Sequence, residues 1–167
     1  YGPNQFPEKI IPLFITNAID DRELPIYGRG TAVRDYLHVD DHGAGIDLAL
    51  RQGTPGEDYN IGTGSEVDGV TVADTVIQLL DKPATLKRFV QDRLGHDQRY
   101  ALDITKLRAL GWTPTIDFAE GMRRTIDWYV ANEAWWRPLK SGEFWEFYQR
   151  NYKPAASDGS GASQARL

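Results

Sequence analysis

The chain has 167 residues, a formal net charge of −5 at pH 7 and 41% hydrophobic residues, enough for one domain with a core. The negative charge argues against a nucleic-acid or anionic-membrane partner. The absence of cysteine excludes disulfides and thiolate metal sites. With no apolar run long enough to span a bilayer and no signal peptide, we expect a cytoplasmic protein.

The first third of the chain alternates helical and extended patterns. A helix is predicted from about Pro12, followed by a strand over 24–28 that Gly28 closes. A second strand is predicted over 33–39. Asp40 or Asp41 then has the residue type that caps a helix, which we expect to run to about Arg51.

The middle of the chain continues this alternation. Residues 59–62 are predicted as a strand, and Thr71 with Asp74 has the spacing of a capping box at a helix start. Residues 86–90, with Leu86, Phe89 and Val90 apolar, are predicted as a buried strand. A short helix is expected from about Asp103 to Gly111.

The last third begins with a second capping box, Asp117 with Glu120, ahead of a helix. An aromatic-rich segment over 135–152 is predicted to pack a C-terminal helix onto the body of the protein. Residues 153–167 are predicted to be a disordered tail, because small and polar residues dominate there. Alternating strands and helices indicate an α/β protein, and we expect one domain over residues 1–152.

A cluster of donors and acids over 92–100 is the strongest candidate for a binding site. Arg93 and Arg99 each offer a planar fork of donors to phosphate oxygens, and His96 adds a third donor. Gly95 permits a tight turn that lets them converge. An alternative interpretation, slightly favoured by composition alone, is a solvated loop in which the arginines pair with Asp92 and Asp97.

Three other patterns do not meet the requirements of the chemistry they suggest. The sequence over 62–67 fails the dinucleotide fingerprint because Val67 stands at the third glycine position. None of the eight tyrosines is followed four residues later by lysine, the pair that ionises a catalytic tyrosine. His38 and His42 straddle a predicted strand-to-helix change, so helical spacing does not make them a metal pair.

Several motifs resemble the dTDP-glucose 4,6-dehydratases, which are extended short-chain dehydrogenase/reductases. The resemblance rests on the opening block over 1–12, with Gln5 and Pro7-Glu8-Lys9, on 25–30, on 33–42 and on 92–100. It runs to about Tyr152. It implies the C-terminal substrate-binding portion of such an enzyme: a small mixed sheet with flanking helices, without the Rossmann half.

The resemblance also implies which residues bind the nucleotide sugar, dTDP-glucose. One segment walls the base and sugar, a strand borders the base with Tyr27 placed to stack on a pyrimidine, and arginines bind the diphosphate. Arg99 is expected to support the loop through Asp97. The implied substrate-binding residues are Glu8, Lys9, Ile10, Ile11, Pro12, Pro25, Ile26, Tyr27, Arg34, Asp92, Arg93, His96 and Tyr100.

The same resemblance sets expectations for the whole enzyme. NAD would be held by the missing Rossmann half, the intact enzyme would be a homodimer, and this chain alone would bind no cofactor and be inactive. Gly69 stands where the family often has an asparagine that contacts the nucleotide, and Tyr36 where tryptophan is common. We also expect the helices after Pro12 and Asp41 to expose apolar surface and to promote self-association.

Two alternative functions remain open at this stage. One is a portion of a sugar-nucleotide 4-epimerase or a UDP-glucuronate decarboxylase, against which the Gln5 block argues. The other is a non-catalytic fragment that binds nucleotide sugars or only a protein partner.

Overall fold

The computed structural model describes residues 1–152, which form small sheets flanked by helices. This confirms the predicted α/β class. The helices are α1 (Ile10–Ile19), α2 (Val39–Gln52), α3 (Gly69–Leu79), α4 (Thr105–Ala109), α5 (Phe118–Ala131), α6 (Glu133–Trp136) and α7 (Gly142–Asn151). The strands are β1 (Leu24–Tyr27), β2 (Val33–Arg34), β3 (Val67–Asp68), β4 (Lys87–Val90) and β5 (Arg99–Tyr100), with a 3₁₀ turn at Ala84–Leu86. The predicted disordered tail, 153–167, lies outside the described residues.

Two parallel strand pairings position the loop over residues 92–98. Strand β4 pairs in parallel with β1, with Val90 opposite Tyr27, so the chain leaves both strands at the same edge. Strand β5 pairs in parallel with β2, with Tyr100 opposite Arg34, and β3 completes this second sheet on the other side of β2. The 92–98 loop is therefore fixed at both ends, beside Tyr27 and beside Arg34.

The main hydrophobic core lies between α1, α3 and α5 and extends under the C-terminal aromatic residues. Its largest fully buried side chains include Trp136, Tyr129 and Phe14. The predicted packing of the C-terminal aromatic segment is confirmed, because Trp136 and Phe144 belong to this core. A smaller cluster around Leu107 and Trp112 packs beneath α2.

Several predicted boundaries were wrong. Residues 59–62 form no strand, and β2 covers only Val33–Arg34 of the predicted 33–39. Asp68, not Thr71, caps α3: its carboxylate accepts from the Thr71 amide at 2.7 Å. His38 precedes α2 in place of Asp40 or Asp41, and its Nδ1 accepts from the Asp40 amide. In both caps the polar side chain of the residue before the helix accepts a hydrogen bond from a backbone amide of the first helical turn, which has no partner within the helix.

The expectation of exposed apolar surface was correct for one helix and wrong for the other. All residues of α1 from Ile11 to Ala18 are buried. On α2, by contrast, Val39, Ile46 and Leu50 are exposed, with 82% of Leu50 accessible. No helix among residues 1–152 is both long and apolar enough to cross a membrane.

Candidate functional site

A cleft with a volume of about 400 Å³ opens where the two strand pairings meet the start of α1 and the end of α7. Nine of the thirteen predicted site residues line it: Glu8, Lys9, Ile10, Pro25, Ile26, Tyr27, Arg34, Arg93 and His96. The cleft thus brings together Arg34, Arg93 and His96, which come from two separate segments of the chain. Convergence of two guanidinium groups and an imidazole suits an anionic ligand.

The four remaining predicted residues lie around the cleft and do not line it. Ile11 and Pro12 are buried in α1, and Ile11 belongs to the core. Asp92 and Tyr100 act on lining residues: Asp92 contacts His96, and the Tyr100 ring lies 4.5 Å from the Arg34 guanidinium carbon. Tyr100 also donates its hydroxyl to Asp97.

The orientation of His96 depends on Asp92. The Nδ1 atom of His96 lies 2.6 Å from Oδ1 of Asp92, which leaves Nε2 as the free ring nitrogen. This hydrogen bond is the main reason that the pKa of Asp92 is lowered. Gly28 makes room for the carboxylate: its φ is +55°, and a Cβ there would stand 2.7 Å from Asp92 Oδ2.

The two arginines of the cleft differ in their contacts. Arg34 donates to the carbonyl oxygens of Val33 at 2.7 Å and Asp97 at 2.8 Å, which ties it to the 92–98 loop. The Arg93 guanidinium carbon lies 5.0 Å from the Tyr27 ring centroid. Among the described residues neither arginine forms an ion pair.

Arg99 does not have the predicted role. Its guanidinium forms a bidentate ion pair with Glu66, with Nε 3.0 Å from both carboxylate oxygens, and it makes no contact with Asp97. The reason is alternation along β5: Arg99 and Tyr100 point to opposite faces, and only Tyr100 faces Arg34. The solvated-loop interpretation was therefore wrong in its partners: among the described residues, Arg99 pairs with Glu66, and Arg93 forms no ion pair with Asp92 or Asp97.

Sequence reasoning missed the contribution of the C-terminal helix to the cleft. Phe147, Asn151 and Tyr152 line it. Tyr152 stacks on Tyr27 with ring centroids 5.1 Å apart, and the Tyr27 hydroxyl donates to the Asn151 carbonyl oxygen at 3.2 Å. Burial raises the pKa of both tyrosines, so both hydroxyls stay protonated at neutral pH. The only signal was the aromatic composition, which packing alone explains.

Gln5, Gly30, Ala32, Tyr36 and Gly69 complete the lining. Burial raises the pKa of Tyr36 to about 12.

The glycine-rich loop over 62–65 does not fit a dinucleotide phosphate. Its amide donors are already used, because the Asp35 carboxylate accepts from the Thr63 amide at 2.8 Å and from the Gly64 amide at 3.1 Å. A Cβ on Gly62 would stand 2.4 Å from Asp35 Oδ2. The loop therefore binds Asp35, the residue that follows β2, and does not leave its amides available to a cofactor. Residues 1–152 also contain no cluster of potential metal ligands.

The fold matches the C-terminal part of extended short-chain dehydrogenase/reductases. The family model described as GDP-mannose 4,6 dehydratase matches residues 1–125, and the chain belongs to this family. The resemblance to dTDP-glucose 4,6-dehydratases is confirmed by its relatives. The chain is 52% identical over 141 residues to the enzyme of that name from Streptomyces antibioticus and 44% identical over 161 residues to that from Salmonella typhimurium.

Solved structures agree with this assignment. The fold is similar to that of DesIV, a dTDP-glucose 4,6-dehydratase from Streptomyces venezuelae solved with NAD and TYD bound. The two have a TM-score of 0.81 and 48% identity, and the match covers 84% of this chain and 44% of the DesIV chain. The fold is also similar to that of UDP-glucuronic acid 4-epimerase from Bacillus cereus, with a TM-score of 0.73 and 28% identity. This match covers 78% of this chain and 42% of the epimerase chain.

The chain spans less than half the length of these relatives. The alignment with the Streptomyces antibioticus enzyme includes 84% of this chain but 42% of that enzyme. The alignment with the Salmonella typhimurium enzyme includes 92% of this chain but 45% of that enzyme.

Proposed function

We propose that this chain is the substrate-binding portion of a dTDP-glucose 4,6-dehydratase, and that its cleft binds the diphosphate of dTDP-glucose. The intact enzyme would use NAD to convert dTDP-glucose to dTDP-4-keto-6-deoxyglucose. The observation that carries the proposal is the convergence of Arg34, Arg93 and His96 on one cleft. Guanidinium forks match pairs of phosphate oxygens, and two of them from separate segments suit two linked phosphates.

The remaining predicted roles belong to the same proposal. Glu8, Lys9 and Ile10 would line the site of the base and sugar. Pro25, Ile26 and Tyr27 would lie beside the base. Because Tyr152 already stacks on Tyr27, a pyrimidine would use the remaining face of Tyr27 or displace Tyr152. We assign no catalytic residue to this chain, because it has no tyrosine followed four residues later by lysine.

The whole enzyme is part of the proposal as well. An upstream Rossmann half would carry NAD and the catalytic tyrosine–lysine pair, the intact enzyme would be a homodimer, and it would be cytoplasmic. The names of the relatives, which include an NAD-bound structure of the same enzyme, support the first of these statements.

Titration calorimetry of the 167-residue chain with dTDP tests nucleotide binding directly. We expect binding to dTDP and weaker binding to UDP and GDP. Absence of binding to all three nucleotides would contradict the proposed site.

A 4-epimerase is the second candidate reaction, and the 28% identical epimerase structure is the observation in its favour. Because the reacting groups would belong to the upstream half in either case, the nucleotide-sugar preference of this chain distinguishes the two. Calorimetry that shows tighter binding of dTDP-glucose than of UDP-glucose supports the dehydratase, whereas the reverse order supports the epimerase.

Replacing Asp92 with alanine is expected to weaken dTDP binding about fivefold, on the scale of one net hydrogen bond. Without the 2.6 Å contact to Nδ1, the His96 ring loses its fixed orientation toward the cleft. Calorimetry measures the change, with Asp58→Ala, a fully exposed loop position, as the control. Equal affinities of the two variants would show that Asp92 does not position His96.

Replacing Gly69 with asparagine is expected to tighten dTDP binding between about threefold and tenfold, the gain of one net hydrogen bond. The position lines the cleft at the start of α3, and a Cβ there would meet its nearest atom, the Gly30 carbonyl oxygen, at an ordinary 3.5 Å. Gly69→Ala is the matched control, since it adds the Cβ without the amide. If the asparagine variant binds no more tightly than the alanine variant, the side chain does not reach the nucleotide.

A further inference from the structure

The side-chain amine of Lys140 is buried just before α7, with 7% of the residue exposed. Its Nζ atom donates to Asn17 Oδ1 at 2.9 Å and to Thr16 Oγ1 at 3.2 Å, both on α1. Within residues 1–152 no carboxylate lies at ion-pair distance from it. A buried ammonium group without a paired charge is costly, so other contacts must offset the lost hydration.

Three aromatic rings surround the same amine. Its Nζ atom lies 5.6 Å from the Trp136 ring centroid, 5.5 Å from that of Phe144 and 5.1 Å from that of Trp145. Ring faces at such distances attract a cation. Lys140 thus joins three segments: α1 through Asn17, α6 through Trp136, and α7 through Phe144 and Trp145.

A continuous series of contacts leads from Lys140 to the cleft. Asn17 also donates its amide to the Glu23 carbonyl oxygen at 2.8 Å and to the Tyr148 hydroxyl at 3.4 Å. The Tyr148 ring lies 4.8 Å from that of Tyr152, which stacks on Tyr27. The helix α7 is therefore held at its start by Lys140 and at its end by Tyr27.

The start of α7 has little other polar support. Ser141 precedes the helix, but its side chain makes no capping hydrogen bond. The far end of the same helix carries Phe147, Asn151 and Tyr152 into the cleft wall. A displacement at the start of the helix would therefore move this wall.

We propose that Lys140 is a positioning residue for the nucleotide site: it fixes the start of α7 on α1, so that the end of the helix holds Tyr152 against Tyr27. This proposal rests on the proposed function in one respect: the cleft whose wall Lys140 positions is proposed to bind a nucleotide. Lys140 itself touches neither the cleft nor its contents.

Replacement of Lys140 with methionine tests the proposal in the 167-residue chain. Methionine keeps the length of the side chain and removes the donors and the charge. We expect about tenfold weaker dTDP binding and at least tenfold faster hydrogen exchange of the α7 amides, while α2 amides keep their rates. The ring resonances of Tyr27, which lie in the ring current of Tyr152, should shift. Lys106→Met, at an exposed lysine paired with Glu57, is the matched control and should change none of these.

The pH dependence of exchange separates positioning from general packing. Burial lowers the pKa of Lys140 from 10.5 to about 8, with Asp20 opposing the effect and Arg22 and Arg137 adding to it. The released state of α7 therefore binds more protons than the docked state, and docking strengthens as pH rises from about 8 to about 9.5, below the ordinary pKa of 10.0 at which Tyr148 and Tyr152 would ionise in the released state. Exchange of α7 amides relative to α2 amides should slow over this range in the original chain but not in the Lys140→Met variant.

Each outcome decides between the two proposals. If the original chain does not bind dTDP, the proposed function fails, but exchange of α7 and the Tyr27 resonances still test the positioning role. If Lys140→Met keeps the α7 exchange rates and the Tyr27 resonances of the original chain, the positioning role is refuted while nucleotide binding stands. If that variant does not fold, Tyr148→Phe, which removes only the hydroxyl contact with Asn17, should still speed α7 exchange severalfold; unchanged exchange would refute the proposal.

Discussion

Replacing Arg93 with alanine is expected to weaken dTDP binding about 100-fold, the effect of losing one or two charge-assisted hydrogen bonds to a diphosphate. Arg93 lines the cleft and has no ion-pair partner among the described residues, so its donors are available to a ligand. The Arg93→Lys variant should have an intermediate affinity for dTDP, about tenfold weaker than that of the original chain, because lysine keeps the charge but not the planar fork of donors. Titration calorimetry at low ionic strength measures all three affinities.

Arg99→Ala is the matched control for this prediction. Arg99 lies six residues further along the same segment, but Glu66 occupies its guanidinium, and it does not line the cleft. We expect its removal to change the affinity by less than twofold. Equal losses in the Arg93 and Arg99 variants would indicate general attraction by positive charge and not a defined diphosphate site. The affinity should also decrease with added salt, since these contacts are partly exposed.

Replacing Asp41 with alanine is expected to lower the free energy of unfolding by about 3 kcal/mol, because it leaves several buried donors without a partner. The Asp41 carboxylate, on a residue only 3% exposed, accepts from the amides of Thr115 at 3.0 Å and Ile116 at 2.9 Å and from the Thr115 hydroxyl at 2.8 Å. It joins the first turn of α2 to the segment before α5. Urea unfolding measures the loss.

Asp47→Ala, which removes an exposed ion pair with Arg51 on the same helix, is the control and should cost about 0.5 kcal/mol or less, as is usual for exposed pairs. Burial opposes ionisation of Asp41, but the hydrogen bonds from Ile116 and Thr115 outweigh it and lower its pKa below 3.8. Its contribution to stability is therefore present above about pH 4 and is lost as the pH falls through the lowered pKa. A similar cost for both variants at pH 7 would contradict this role.

The convergence of Tyr27, Arg34 and the 92–98 loop was predicted from the resemblance, whereas the position of that loop at a strand end was predicted from the residues themselves. The segment over 86–90 was predicted as a strand that ends shortly before Asp92, and the parallel pairing of β4 with β1 then places the loop beside Tyr27. The class of the fold follows from the same alternation of elements. The assignment of Arg34 to the cleft came from the resemblance alone.

Other parts of the site depend on contacts between residues far apart in sequence. Composition did not indicate that Tyr152 would stack on Tyr27, since an aromatic helix packs equally well without touching a ligand site. Arg99 was misplaced because the competing acid, Glu66, lies 33 residues away and is brought close only by the second sheet. The cap of α3 was missed because Asp68 is the second residue of a two-residue strand that has no sequence pattern of its own.

The tip of the 92–98 loop provides a natural attachment point for a reporter group. Leu94 is fully exposed, at 104% of its reference accessibility, between the two fixed ends of the loop, and Gly95 beside it has a φ of +70°. Since the chain contains no cysteine, a Leu94→Cys variant would carry a single thiol for coupling an environment-sensitive dye. The dye would sit one residue from Arg93, with its own side chain pointing into solvent, so occupancy of the cleft could be followed optically in real time.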